Sequence, residues 1–323
     1  SASDVDPAPR HAARKMLPAP ADPRLAGEYE KRAGALVADA DQHFSLRTEP
    51  DVAVAILWRG HEVARLGKGK NLLSPRVLLD RRIDSVSARG RDAVIERLQN
   101  WVRGQVERTL SPLRAAGAAA QDPAAPAGVR SVLATLVDEG GIVARERVGA
   151  PLAGLDRDQR RAVTGFGVRI GALDLFMPSV LKPEAMRWGS ALRAAGAGET
   201  MPALPPPSTT VVAAPGGEDR ERLARLGFRS AGPQMIRADM AKALARHTHE
   251  VLRGKGGSII EDALLSSPGL GPEAVAKLMA DIGFRRSEGE TGWTWKGRER
   301  RRRPRAGQRP SHAFAALAGL KRG

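Results

Sequence analysis

From Val94 to Leu113 the apolar residues Val94, Leu98, Trp101, Val102, Val106, Leu110 and Leu113 recur every three or four positions. That is the spacing of one buried face of a long helix, and it predicts one over Ala88–Leu113. A looser stripe of Leu25, Tyr29 and Leu36 predicts a helix over Leu25–Gln42. Between them the pattern shortens. Phe44-Ser45-Leu46, Ala53–Trp58, Glu62–Leu66 and Arg76–Leu79 are brief apolar runs, and Arg59-Gly60 supplies a tight turn between two of them. A small antiparallel sheet in the form of a curled meander is the expected result.

Further along, Gly117–Gly128 is built of Ala, Gly and Pro and reads as a linker. Val129–Asp138 and Asp156–Val163 read as helices, the second opened by a capping box of Asp156 and Gln159. Phe166–Ile170 and Leu173–Met177 read as strands about a Gly171-Ala172 turn. Pro183 suits the first turn of a helix reaching Ala195, and Thr200–Gly217 is a Pro-rich, extended connector.

The last third predicts a helix over Gln234–Leu252, then a short one from a Ser258/Glu261 capping box to Ser267. A third helix over Pro272–Ile282 is ended by Gly283, and a hairpin joins Phe284-Arg285-Arg286 to Trp293-Thr294-Trp295-Lys296. This is the plan of a winged helix. The fold class expected is therefore α+β, mostly helical, with a small antiparallel sheet and a C-terminal winged-helix-like domain. The divisions expected are an irregular segment and helix over 1–43, a sheet with its long helix over 44–116, a helix and hairpin region over 117–217, the winged-helix-like domain over 218–297, and a basic tail over 298–323.

Charge changes the picture mainly at the end of the chain. The formal net charge of the 323 residues is +16. From Lys296 to Gly323 ten basic residues face Glu299 alone, so more than half of the excess sits on the last 28 positions. Such a tail suits phosphate contact, although a solvated terminus that aids solubility has the same composition. There is no cysteine, which excludes disulfides and thiolate-ligated zinc or iron–sulfur centres and fits the cytoplasm. No apolar run approaches about 18 residues, so neither a membrane span nor a membrane partner is expected. The opening Ser1-Ala2-Ser3-Asp4 has no basic-then-apolar leader pattern.

Two glycine-rich stretches are candidate phosphate loops. Gly67-Lys68-Gly69-Lys70-Asn71 and Gly254-Lys255-Gly256-Gly257-Ser258 both lack the spacing that lets backbone N–H groups cradle a triphosphate. Lys68 and Lys70 are read instead as cations that touch a nucleic-acid backbone or merely face solvent. His247 and His249 are two apart on a helix and point to different faces, which argues against a shared metal. No catalytic residue, cofactor or metal site is expected, and the chain reads as a non-enzyme. In the last domain Lys277 is the only strong cation of its helix. Arg285, Arg286 and Lys296 bracket Trp293 and Trp295, and strand alternation puts both indoles on one face. Indoles beside cations stack bases and hold phosphates, whereas the same indoles turned inward would cover a core. Arg298, Arg300, Arg301, Arg302, Arg303 and Arg305 extend the basic surface.

Leu17-Pro18-Ala19-Pro20-Ala21-Asp22-Pro23-Arg24-Leu25, Phe44-Ser45-Leu46, Trp58-Arg59-Gly60, Ala64-Arg65-Leu66 and Leu73-Ser74-Pro75-Arg76-Val77 form a series of short motifs. Gly167 to Gly171, the Phe176–Pro183 block with its Leu181-Lys182-Pro183, Gly227-Phe228-Arg229 and Gly232-Pro233 through Met240 continue it. In this order the series resembles the region downstream of the motor in bacterial helicase-related proteins similar to the mitochondrial degradosome RNA helicase. The likeness runs over much of residues 17–296. It departs in the motor itself, in a shortened stretch between Leu25 and Phe44, and at Ser230-Ala231-Gly232 and Ser266-Ser267-Pro268, where relatives often carry Cys. The resemblance implies a helicase-associated module that grips RNA or DNA, or docks the motor or a nuclease as a protein scaffold.

Overall fold

The computed structural model describes residues 23–254, 260–261, 269–286 and 292–297. The architecture is α+β, with four small antiparallel sheets among many helices. The chain divides into two compact units. Unit 1 is 1–115 together with 182–205, and unit 2 is 116–181 together with 206–323.

Unit 1 begins with helix α1 (Pro23–Ala38) and a single 3-10 turn at Asp41–His43. Strands β1 (Phe44–Arg47), β2 (Ala55–Trp58), β3 (His61–Asn71) and β4 (Ser74–Leu79) follow as the expected meander, in sheet order β1-β2-β3-β4. Trp58 pairs with His61 across a two-residue turn in which Arg59 and Gly60 have φ of 50° and 82°. Two successive positive φ values match the right-handed twist of a hairpin, which is why Gly is placed there. Helix α2 (Ala88–Gln121) buries the predicted stripe from Val94 to Leu113.

Helix α2 is longer than the sequence suggested. Leu110 leaves helical geometry at φ −125°, two residues before Pro112, yet the Ala-rich segment resumes the helix through Gln121. Proline removes one N–H and crowds the preceding turn, and alanine's high propensity carries the chain on past it. Gly117–Gln121, expected as linker, is therefore helical.

The chain then builds part of unit 2. Helix α3 (Ala127–Asp138) buries Val129, Val132, Leu133 and Leu136. Strand β5 (Ile142–Ala144) and helix α4 (Gly149–Ala153) were not foreseen. Helix α5 (Arg157–Gly165) carries the predicted capping box, with Gln159 N–H donating to Asp156 Oδ1 at 2.8 Å. Strands β6 (Arg169–Ile170) and β7 (Asp174–Phe176) are shorter than expected and form a sheet of order β5-β7-β6.

Helix α6 (Pro183–Ala197) returns to unit 1. Its Trp188 ring lies 5.8 Å from Trp101, which lies 6.0 Å from Phe44, so three aromatic rings join α6, α2 and β1. Met201 is fully buried and exchanges backbone hydrogen bonds of 2.9 Å with Asp51 and Val52.

The rest of unit 2 contains strand β8 (Val211–Ala213), helix α7 (Gly217–Arg225), strands β9 (Phe228–Ala231) and β10 (Gln234–Arg237), and helix α8 (Ala238–Gly254). Here two expectations are corrected. Val211–Ala213 lies within the expected connector, and Gln234–Arg237 within the expected helix. Both are strands, in a sheet of order β8-β10-β9. Met235 and Ile236 are both buried, so both faces of β10 are covered there, and this removes the alternation that would have announced it.

Strand β11 (Ile260–Glu261) falls where the expected capping box would open a helix, so Ile260 and Glu261 are extended and not helical, while Ser258 lies outside the described residues. The remainder of that predicted short helix lies outside the described residues. Helix α9 (Pro272–Ile282) ends at Gly283, φ 103°, and is followed by β12 (Phe284–Arg286) and β13 (Gly292–Trp295) as predicted. The sheet order is β11-β13-β12. Leu278, Met279, Ile282, Phe284 and Trp293 form its core with Ala241 and Ala245 of α8.

Candidate nucleic-acid interface

The C-terminal hairpin brings four side chains to one face. Phe284 stands opposite Trp295, and Arg286 opposite Trp293. Directly paired residues project to the same side, and positions two apart share a face. Both indoles therefore share a face, but their surroundings differ. Trp293, on the strand flanked by β11 and β12, is only 5% exposed and belongs to the core. Trp295, at the strand end, is 52% exposed. The reading of two solvent-facing indoles is corrected to one.

Trp295 is held in place. His249 of α8 lies 5.3 Å from the Phe284 ring and 6.2 Å from the Trp295 ring, meeting Trp295 edge-on. Such tilted aromatic contacts orient an indole while leaving one face open. His247 is exposed on another side of the helix, as the two-residue spacing required. His249 is not marked as a site residue by metal-ligand spacing. Its spacing from Arg246 and Arg253, three and four positions away on the same helix face, was the available signal.

The predicted cations fall into three groups. Arg286 sits over the Trp293 ring at 5.6 Å, and Arg285 donates to the carbonyls of Ala280 (2.8 Å) and Phe284 (3.0 Å), so both are tied into the fold. Lys277 is paired with Asp281 one turn later, which further weakens α9 as a groove reader. Lys296 is exposed and follows Trp295 directly. Arg298, Arg300, Arg301, Arg302, Arg303 and Arg305 lie outside the described residues.

Lys68 and Lys70 are on unit 1, within strand β3 and not in a loop. Both are exposed. The intervening glycines have a packing reason. A Cβ at Gly69 would lie 1.8 Å from the Ser74 carbonyl oxygen, and one at Gly67 would lie 2.8 Å from Leu78 Cδ1. The Gly-Lys-Gly-Lys alternation thus admits the close approach of β4 while leaving the lysines in solvent.

Unit 1 also contains a cleft of about 360 Å³. Its rim includes Tyr29, Arg32, Trp58, His61 and Arg82, and Leu36, Val63 and Val94 contribute its apolar floor. Trp58 Nε1 donates to Asp39 at 2.8 Å, and Arg59 Nε and His43 Nδ1 meet the same carboxylate at 2.7 and 2.8 Å. These contacts, led by Arg59 and Trp58, hold the Asp39 carboxyl far below the usual carboxylate range.

In unit 2 a second cavity, about 420 Å³, is bordered by Asp174 and Arg229. Their side chains meet at 2.7 Å and are 10% and 16% exposed. Burial pushes the Asp174 carboxyl up despite Arg229, whose charge and hydrogen bond pull it down. Its pairing with an arginine describes an internal ion pair. Among the described residues no three His, Asp or Glu side chains are grouped to hold a metal ion, and no helix is long and apolar enough to cross a membrane.

No protein-family model, curated protein or solved structure matches this chain. The candidate interface rests on its own geometry.

Proposed function

We propose that this chain is a nucleic-acid-binding accessory region of a helicase system, without catalysis of its own. One observation carries the reading. Strand β13 presents an exposed indole, buttressed by His249, and passes straight through exposed Lys296 into a run that holds six arginines between 298 and 305. A stacking platform next to dense positive charge is how proteins hold RNA or DNA strands without reading sequence. The order helix, short strand, helix and hairpin, with β11 pairing on the outer side of β13, supports a winged helix whose wing, not its α9 helix, makes the contact. The resemblance to post-motor regions of helicase-related proteins supports the cellular setting.

Binding of single-stranded and duplex oligonucleotides to the full chain should weaken steeply with salt, with a logarithmic slope near 0.7–0.9 per phosphate contact. Trp295→Ala should cost about 1–3 kcal/mol of single-strand affinity, read by fluorescence anisotropy. Salt-insensitive binding, or none at low salt, sinks the proposal.

The unit 1 cleft favours a second reading, a docking scaffold. Trp, Tyr and Arg around an apolar floor are the residue types that dominate protein interfaces, and the cleft suits an apolar side chain flanked by carboxylates. If removing 297–323 abolishes nucleic-acid binding while the remainder still binds a purified helicase motor or nuclease, scaffolding is the better description.

A further inference from the structure

Like charges gather where β6, β7 and α8 meet in unit 2. Arg169 stands opposite Phe176 in the β6–β7 pair, so the two side chains share a side of the hairpin. The Phe176 ring is buried, and Lys242 Nζ lies 6.0 Å from its centroid. Arg246 follows Lys242 by one helical turn, which sets two cations side by side, an arrangement that destabilises a helix. Burial, then the nearness of Arg169 and Arg246, pushes the half-buried Lys242 ammonium below its ordinary value.

No carboxylate answers Arg169 or Lys242. Asp174 is committed to Arg229 at 2.7 Å, and Asp239 to Arg237 at 2.8 Å. Glu250 reaches Arg246 only at 3.8 Å, with both side chains largely exposed, where such a pair contributes little. Among the described residues the side chains of Arg169 and Lys242 have no hydrogen bond or ion pair. The Arg169 guanidinium and the partly desolvated Lys242 ammonium are donors that no side chain of the fold consumes, and Arg246 beside them is held only by a long, exposed pair.

We propose that Arg169, Lys242 and Arg246 form a site for a phosphate group, supplied by a nucleic-acid strand that runs along α8 to Trp295. The site stands on its own geometry; only the source of the phosphate rests on the nucleic-acid reading above. His249 and Arg253 continue the same helix face, and the rise from Lys242 to Arg253 is about 17 Å. The strand would therefore meet cations before and after the indole.

The test compares the full chain with Arg169→Gln/Lys242→Gln/Arg246→Gln, using single-stranded oligonucleotide binding across a salt series. The expected result is a slope shallower by about 0.7, the value of one lost phosphate contact on a single strand, with the tail unchanged. Should the triple variant fail to fold, Arg169→Gln alone carries the test through a smaller change of slope in the same direction. In parallel, pyrophosphate is titrated into the wild-type chain while the Lys242 side-chain resonance is followed. Oligonucleotide binding with an unchanged slope in the folded variant overturns the site and leaves the nucleic-acid reading intact. No oligonucleotide binding, with a Lys242 shift that Arg246→Gln abolishes, keeps the site, assigns it to free phosphates and removes the nucleic-acid reading. Neither response overturns both.

Discussion

At Asp39 three side-chain donors converge on one carboxylate, while at Asp174 burial outweighs a single arginine. The consequences for stability have opposite sign. A carboxyl held below its unfolded value contributes in full above that value and loses the contribution as pH falls through the lower folded one. Unit 1 should therefore shed stability below about pH 4, and Asp39→Asn should flatten that acid limb in urea midpoints taken across the range. A carboxyl raised by burial contributes in full below about pH 4 and loses stability as pH climbs to its folded value. In Asp174→Asn the corresponding loss in unit 2 should disappear. Arg229→Met should cost about 3–5 kcal/mol by strand-buried charge alone, and Arg229→Met/Asp174→Leu should recover most of it. Gly69→Ala forces a carbon against a backbone oxygen, which cannot swing aside as a side chain would. A loss of about 1–3 kcal/mol or more is expected from chemical denaturation.

Among the elements, those whose signal is local were readable from sequence. The α2 stripe, the Arg59-Gly60 turn, the Asp156/Gln159 box and the Gly283 terminator each depend on residues within a turn or two of one another. The Ser258/Glu261 box looked equally sound, yet Ile260 and Glu261 pair with Trp293 and Gly292, some thirty residues later in the chain, and long-range strand pairing prevailed over the local cap. Strand β10 hid for a related reason, since its burial on both faces comes from neighbours the sequence does not name. The candidate site divides similarly. Trp295 and Lys296 were legible as part of a hairpin; the burial of Trp293 was not, because it depends on packing in a core shared with α8 and α9. Arg169 beside Lys242 required β6, β7 and α8 to be assembled first. That assembly predicts a trade-off. Lys242→Gln removes a like-charge neighbour from α8, so its thermal midpoint should stay level or rise slightly, a gain of a few tenths of a kcal/mol, while its oligonucleotide affinity falls. A parallel loss of both would mean that Lys242 is part of the fold and not of a binding surface.

For the whole molecule, the order of the segments matters as much as their structure. Unit 1 is interrupted: the chain leaves it after Ala115 and returns at Lys182 with α6, whose Trp188 completes the ring contacts begun by Phe44 and Trp101. A gene cut after Ala115 should therefore yield a product that exposes Trp101, binds hydrophobic dye and recovers on mixing with a 182–205 peptide. On the ribosome the consequence is a delay. Some ninety residues separate Ala115 from Pro205, about 5–20 s of synthesis. During that interval the sheet of unit 1 waits with an open flank, so the nascent chain has a built-in window for chaperone capture that ends when α6 emerges.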